Sequence, residues 1–280
     1  MANFKKYLFI PGLLMLLLLF ASCQGNASTT ETTDNTNQSD TSVIITDTSA
    51  ETIQTSAETI QTSAETIQTS QETTAAAGDS ATKLLYMGHA SLRLASKDGT
   101  VIYVDPYAGE GYDVPADIIL VTHQHDDHNQ VNLVTQKDGC TVITNVEALA
   151  GGTHNSFSVK GIDIQSVEAG NNPNHDITQC VGYIITVDGI KVYVAGDTSK
   201  TDQMSTFTDM GINYALFPCD GSYNMDAAEA AECAKLVNAK HNIPYHTKPG
   251  ELFDMSVAEN FDAPNKLVVQ PGEEIVLTSD

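Results

Sequence analysis

Apolar residues along this 280-residue chain fall into three regimes. Positions 8–20 are a nearly unbroken apolar run, interrupted only by Pro11 and Gly12. From 24 to 80 the apolar pattern lapses: 24 of these 57 residues are Ser or Thr, and none is Leu, Pro or aromatic. Beyond residue 82, short apolar runs alternate with Gly, Pro, Asp and Asn, the punctuation of strands and turns. There the pattern predicts short strands over 83–87, 91–95 and 100–105, with Asp98-Gly99 as a hairpin turn between the last two. Residues 117–122 (Asp-Ile-Ile-Leu-Val-Thr) form a continuous apolar run, as in a strand buried on both faces. Further strands are expected over 141–144, 162–167, 181–187, 190–195, 214–217 and 242–245, with Asp188-Gly189 marking a second hairpin. A helix is predicted over 226–237, opened by Asp226 with Glu229 at capping-box spacing. A last hairpin is expected over 266–277 around Pro271-Gly272. Two strand-rich halves, each with helices, predict a layered α/β sandwich rather than an all-β barrel.

The first regime reads as an export signal over residues 1–23. Lys5 and Lys6 form a basic start, and the apolar run is too short to cross a ~30 Å hydrocarbon core as a helix. It ends in Phe20-Ala21-Ser22-Cys23, which resembles a bacterial lipoprotein box. The expectation is an extracytoplasmic protein, lipid-anchored to a bacterial cell membrane through Cys23; cleavage at Ala21-Ser22 with secretion is the alternative. Residues 24–80 are expected to be a disordered tether. They contain three copies of a seven-residue unit, at 48–54, 55–61 and 62–68. Each copy offers only Ile and Ala as apolar residues among many Thr, too little for a coiled-coil seam. Fully stretched, the segment reaches ~190 Å. The remainder, 81–280, fits one domain.

Charge narrows the partners. The chain carries 36 acids against 13 Lys and Arg, a net charge of −23, and Arg93 is its one arginine. Clustered Lys and Arg are what nucleic acids and anionic membrane surfaces require, so neither is an expected partner. A small-molecule substrate is.

The candidate chemistry follows the buried run directly: Thr122-His123-Gln124-His125-Asp126-Asp127-His128. Unpaired buried imidazoles cost several kcal/mol (~2–7 per group) unless bonded or metallated. In an extended segment His123 and His125 share one side, leaving Asp127 and His128 to turn toward a second centre. Ligands of this hardness suit a divalent transition metal such as zinc. Asp197, just past Gly196 at the end of a predicted hairpin strand, has two oxygens able to span metals ~3.5–4 Å apart. His89 is either a site-lining group or a satisfied turn residue. His241 is expected at the surface, and Asp126 in a solvated turn.

In these motifs the sequence resembles the metallo-β-lactamase-fold hydrolases, and most resembles the branch containing the ascorbate-6-phosphate lactonase. The resemblance runs over about 83–278. It rests on Gly88-His89-Ala90-Ser91, Val104-Asp105-Pro106, the 122–128 motif, Asn174-His175, Val194-Ala195-Gly196-Asp197-Thr198, the stretch 217–231 that begins Phe217-Pro218-Cys219-Asp220-Gly221-Ser222-Tyr223 and ends at Ala231, and Ile243-Pro244-Tyr245-His246. It implies a four-layer αββα sandwich holding two divalent metal ions, zinc first with manganese or iron as alternatives. His123, His125 and His175 would hold one metal, Asp127, His128 and His246 the other, with Asp197 bridging and Asp105 fixing a histidine tautomer. His154 is the rival for the place of His175, which has the family's spacing to the 181–197 hairpin. The implied reaction is hydrolysis of a small ester, lactone, amide or phosphodiester by a metal-bridged hydroxide that Asp127 orients. A non-catalytic metal- or ligand-binding lipoprotein and a β-lactamase are the alternatives. Ser199 and Asp176 depart from the branch, which often has an acid and a proline there. An exported, arginine-poor chain also fits a phosphorylated cytoplasmic sugar badly. Setting Cys23 aside, Cys140, Cys180, Cys219 and Cys233 are an even set that allows one or two disulfides.

Overall fold

The computed structural model describes residues 80–280; the expected signal, Cys23 and the tether up to Asp79 lie outside the described residues. Among the described residues, twelve strands form two six-stranded sheets. The first contains β1 (Lys83–Gly88), β2 (Ser91–Ala95), β3 (Val101–Val104), β4 (Ala116–Leu120) and β5 (Gln136–Ile143). The second contains β6 (Ser156–Val159), β7 (Ile162–Glu168), β8 (Val181–Val187), β9 (Ile190–Val194), β10 (Tyr214–Pro218) and β11 (His241–Tyr245). A short β12 (Glu274–Val276) joins the first sheet beside β1. The strand orders are 12-1-2-3-4-5 and 11-10-9-8-7-6.

Alternation along the strands decides what each sheet buries. Leu84, Tyr86, Leu92, Ile102 and Ile118 of the first sheet meet Ile164, Tyr183, Ile185, Val192 and Leu216 of the second in one core between them. The out-of-phase residues face the other way, and here the expected four layers are only partly realised. Outside the second sheet, Tyr193, Ala215 and Phe217 pack with Ala230, Cys233 and Val237. Three helices are present among the described residues: α1 (Asn145–Ala148), α2 (Ala227–Val237) and α3 (Met255–Asn260). The apolar face of α2 supplies Ala230, Cys233 and Val237. Outside the first sheet, Leu85, Met87, Tyr103 and Ile119 are covered by Tyr112 and Val114 of a loop and by Val131 and Val134 around a single 3-10 turn. A loop and a turn stand where an α-helix was expected.

The predicted helix opens as its sequence requires: the Asp226 carboxylate accepts from the backbone N–H of Ala228 (3.0 Å) and Glu229 (2.9 Å). Glu229 does not close the capping box and instead accepts from the Lys200 backbone N–H at 2.9 Å. The Asp188-Gly189 hairpin forms, with both residues at positive φ and Val187 opposite Ile190. The hairpin expected over 266–277 does not. Its first arm bridges Asn242 in the second sheet, with Leu267 N–H donating to the Asn242 carbonyl, while its second arm is β12 in the first. Pro271-Gly272 therefore turns the chain between sheets. The four domain cysteines are free, so no disulfide staples this fold; the core supplies the cohesion.

What positions the site is strand direction. β3 and β4 run parallel, as do β9, β10 and β11. Chain leaving the carboxyl ends of parallel strands carries ligand-binding residues in α/β sheets generally. Here those exits are Asp105, the 122–128 motif, Asp197, Asp220 and His246.

Candidate metal centre

Asp105 leaves β3 at φ 45°, with its N–H donating to the Leu120 carbonyl at 2.9 Å. That left-handed turn places a fully buried carboxylate beneath the histidine motif. It accepts from the Thr122 backbone N–H and hydroxyl, each at 2.7 Å, and from Nδ1 of His128 at 2.9 Å. Because the Thr122 hydroxyl donates to Asp105, its lone pair is left to accept from Nδ1 of His123, 3.0 Å away. One carboxylate thus fixes the tautomers of two histidines and leaves both Nε2 atoms free to face the cluster.

Three groups of ligand atoms lie within 4.8 Å of one another among the described residues: His123, His125 and His175; His89, Asp127, His128 and His246; and His123, His128 and Asp197. Asp197 sits between the first two. Its Oδ1 is 3.5 Å from Nε2 of His128, and its Oδ2 is 3.3 Å from Nε2 of His175 and 3.5 Å from Nε2 of His246. All seven residues proposed from the sequence as ligands therefore converge. His89 resolves toward the site: its Nε2 is 3.2 Å from Oδ2 of Asp127, and its ring lies 3.8 Å from that of His246. His154 belongs to none of these groups. His241 starts β11, at the end away from His246, and is half-buried and stacked on Tyr214 at 4.7 Å rather than lying free at the surface. Asp126 is exposed, as its turn position suggested.

Asp220, at the exit of β10, was missed as a site residue. Its Oδ2 lies 3.3 Å from Nδ1 of His246. Its other oxygen accepts from the backbone N–H groups of Ser222 and Tyr223, each at 2.7 Å. The available signal was an Asp-Gly-Ser turn just past a buried apolar run, a carboxylate at a strand exit as at Asp197.

Electrostatics divide the histidines. Burial, helped by repulsion from His128, pushes the His123 imidazole down to about 2. Burial also opposes charge on His128 most strongly, but the Asp197 and Asp105 carboxylates overcome it and hold His128 well above its ordinary value. The Asp197 carboxyl stays well below the usual range: burial acts against it, and His246 and His128 prevail. Asp127 is lowered first by its hydrogen bond from His89.

Buried polar atoms without a hydrogen bond occur at several places among the described residues, Nε2 of His154 and the hydroxyls of Tyr193 and Tyr245 included, but they gather at this site: Nε2 of His123, His128 and His246 and Oδ1 of Asp197 all lack one. Each such atom costs ~1–3 kcal/mol unsatisfied, and these four belong to the converging groups. Imidazole and carboxylate donors at this density fit a divalent metal. His125, Asp127, His175, Asp197 and His246 open onto a cavity of about 550 Å³ walled by Asn174, Tyr223, Pro249 and Gly250.

Comparison with known proteins agrees with this geometry. The family described as Beta-lactamase superfamily domain matches residues 83–246. A UPF0173 metal-dependent hydrolase from Myxococcus xanthus is 32% identical over 205 residues, covering 61% of this chain and 72% of that protein. One from Thermococcus kodakarensis is 28% identical over 225 residues, covering 70% and 99%. A metal-dependent hydrolase from Parabacteroides distasonis, solved by crystallography, superimposes with a TM-score of 0.57 at 27% identity, covering 68% of this chain and 93% of that one. A metallo hydrolase from Ignicoccus hospitalis, at 22% identity and a TM-score of 0.55 over 70% and 98%, shares the fold.

Proposed function

We propose that this chain, which belongs to the beta-lactamase superfamily and is a metal-dependent hydrolase, holds two divalent cations and cleaves a small ester, lactone, amide or phosphodiester. His123, His125 and His175 would hold one cation, Asp127, His128 and His246 the other, and Asp197 would lie across both. The observation that carries this is the gathering of four buried, unpartnered donor atoms, Nε2 of His123, His128 and His246 and Oδ1 of Asp197, in two overlapping groups that share His128. When bound, the cations would lower the pKa of a coordinated water and polarise the electrophile.

The chain's own residues then have separate tasks. Asp105 and Asp220 orient His128, His123 and His246 through their outer ring nitrogens. Asp127 is the carboxylate of this set that is substantially exposed, its side chain at 41%. His89 holds one of its oxygens, leaving the other to orient the attacking water along the cavity. The water oxygen bonds to carbon or phosphorus, the ester, amide or phosphodiester bond breaks, and the water's proton passes to the leaving group. We also propose that the domain works outside the cytoplasm, carried by a lipid on Cys23 and the 24–80 tether. Fatty-acid labelling that is lost in Cys23→Ala supports this; a labelled Cys23→Ala protein overturns it.

The hydrolytic proposal is tested on the full chain, stripped with chelator and reloaded. Metal content by mass spectrometry should reach two ions per chain. Activity over esters, lactones, β-lactams and phosphodiesters should appear on loading and vanish in His125→Ala. Less than one ion per chain after reloading, or full activity in His125→Ala, overturns it.

A further inference from the structure

His123, His125 and His175 also form one wall of a second cavity, of about 650 Å³, which shares His125, His175 and Asn174 with the first. Six carboxamides line it: Gln124, Asn145, Asn171, Asn172, Asn174 and Gln179. Some are fixed. Gln124 donates to the Asn145 side-chain oxygen at 2.7 Å, Asn145 donates to the Gln179 carbonyl at 2.7 Å, and Asn171 donates to the Lys200 carbonyl at 2.7 Å. Others keep unspent capacity. The side-chain oxygens of Asn171 and Asn174 and the whole Gln179 carboxamide form no hydrogen bond among the described residues. A carboxamide both donates and accepts without carrying charge.

Neither cavity is lined by Lys or Arg. Lys248 precedes Pro249 in the wall of the first, but its ammonium is already taken by Glu251 at 2.7 Å and Asp254 at 3.9 Å. Lys200 meets the second cavity's wall through its backbone carbonyl. The charged side chain at that rim is Asp176, an exposed acid. Residues 81–280 hold 11 bases against 27 acids. Proteins meet phosphate and carboxylate groups with Arg forks or Lys. Here, positive charge is confined to whatever cations the histidines hold.

We infer that the part of the substrate remote from the reacting bond is uncharged and hydrogen-bonding, a hydroxyl- or amide-bearing group seated among Asn171, Asn174 and Gln179. This rests on the hydrolytic reading above and names its substrate class. An anionic group is accommodated at the reacting bond, beside the cations, but a second anion away from it meets amide dipoles and Asp176.

The test uses matched pairs on the metal-loaded full chain: monobutyrin and its phosphate monoester, glucono-δ-lactone and its 6-phosphate. Turnover and calorimetric binding are both read. The neutral member of each pair should exceed the phosphorylated one by about tenfold or more in kcat/KM and in affinity. Asn174→Ala should raise KM for the neutral member, and Gln179→Lys should narrow the gap by improving the phosphorylated one. Equal or better use of the phosphorylated members overturns the inference, as does a gap that neither variant moves. If no pair is turned over, the hydrolytic reading is decided separately, by the metal loading and the wider activity screen above. The calorimetric comparison then decides the inference alone: tighter binding of the neutral members supports it, and equal, tighter-phosphorylated or undetectable binding overturns it.

Discussion

Replacing Asp105 with Asn isolates the role of a single charge beneath the metal centre. The left-handed backbone at φ 45° is one that Asn adopts readily, so the substitution leaves the turn intact. The carboxylate accepts three hydrogen bonds, from Thr122 N–H, Thr122 Oγ1 and His128 Nδ1. The amide keeps one oxygen, which stays on the Thr122 N–H, and its NH2 then faces two donors. His128 relieves the conflict by moving its proton to Nε2. The Thr122 hydroxyl, no longer donating to Asp105, turns toward His123 and moves that proton to Nε2 as well. Both shifts put hydrogen where a cation needs a lone pair. Outer partners of this kind change metal affinity by about 10–100-fold. A charge-assisted hydrogen bond worth ~1.5–3 kcal/mol gives a similar figure. We therefore expect Asp105→Asn to weaken metal binding about 10–100-fold, read by competition against a calibrated chelator, with an unchanged far-ultraviolet circular dichroism spectrum. Thr122→Val, which cuts only the His123 branch, should weaken binding by less. Wild-type affinity in Asp105→Asn would refute the tautomer reasoning outright.

Three further outcomes are expected. Metal uptake near neutral pH should release protons: although burial opposes it, Asp197 raises the pKa of both His128 and His246. A cation must displace those protons, so its apparent affinity should rise with pH until both histidines are neutral; calorimetry in buffers of different ionisation heat reads this, and no release contradicts it. Gly196→Ala should lower urea stability by at least ~1–2 kcal/mol, because φ is +69° and the new Cβ would lie 2.7 Å from the Val181 carbonyl; an unmoved midpoint sinks the idea. Cys180, Cys219 and Cys233 should resist a thiol reagent in the native state, since burial pushes Cys180 and Cys233 up to about 12 and Cys219 up as well, whereas half-buried Cys140 should react first. Mass labelling after unfolding without reductant should then mark Cys140, Cys180, Cys219 and Cys233, and a missing pair would reveal a disulfide.

The residues legible in the sequence were those whose chemistry is dense and local. Three histidines and two aspartates in six positions have no bland explanation, and the apolar run before them fixed the strand they follow. The family resemblance then placed His175 and His246, which lie far apart in the chain and which spacing alone could not join. Asp220 escaped notice because one carboxylate in an Asp-Gly turn is an ordinary turn former until the fold brings it beside His246. The same locality explains the errors in the fold. β6 has half-exposed apolar residues at a sheet edge and gives a weak alternation. The 266–277 segment has a sound turn signal, but which sheet each arm joins depends on tertiary partners. The cover over the first sheet is a loop whose Tyr112 and Val114 show no helical period.

Backbone strain sits at the same rim as the chemistry. His89, Asp105 and His246 all have left-handed φ, at 52°, 45° and 43°, each costing ~1–2 kcal/mol for a residue with a side chain. Each is held by a backbone bond across the site: His89 N–H to Leu252 at 2.7 Å, Asp105 N–H to Leu120 at 2.9 Å, and His246 N–H to the His89 carbonyl at 2.9 Å. The last bond links two of the strained residues directly, so a shift at either one moves the other. Four buried donor atoms without partners lie among them. Strain and unmet polarity gathered at one place make the rim a costly part of the domain. A ligand that binds only the folded state recovers that cost as added stability. The geometry therefore implies a coupling: cations that bind the histidines should suppress local opening around His89, Asp105 and His246, so hydrogen exchange at those amides should slow on loading, while the core amides of β8 and β9 slow only as far as the global stability rises.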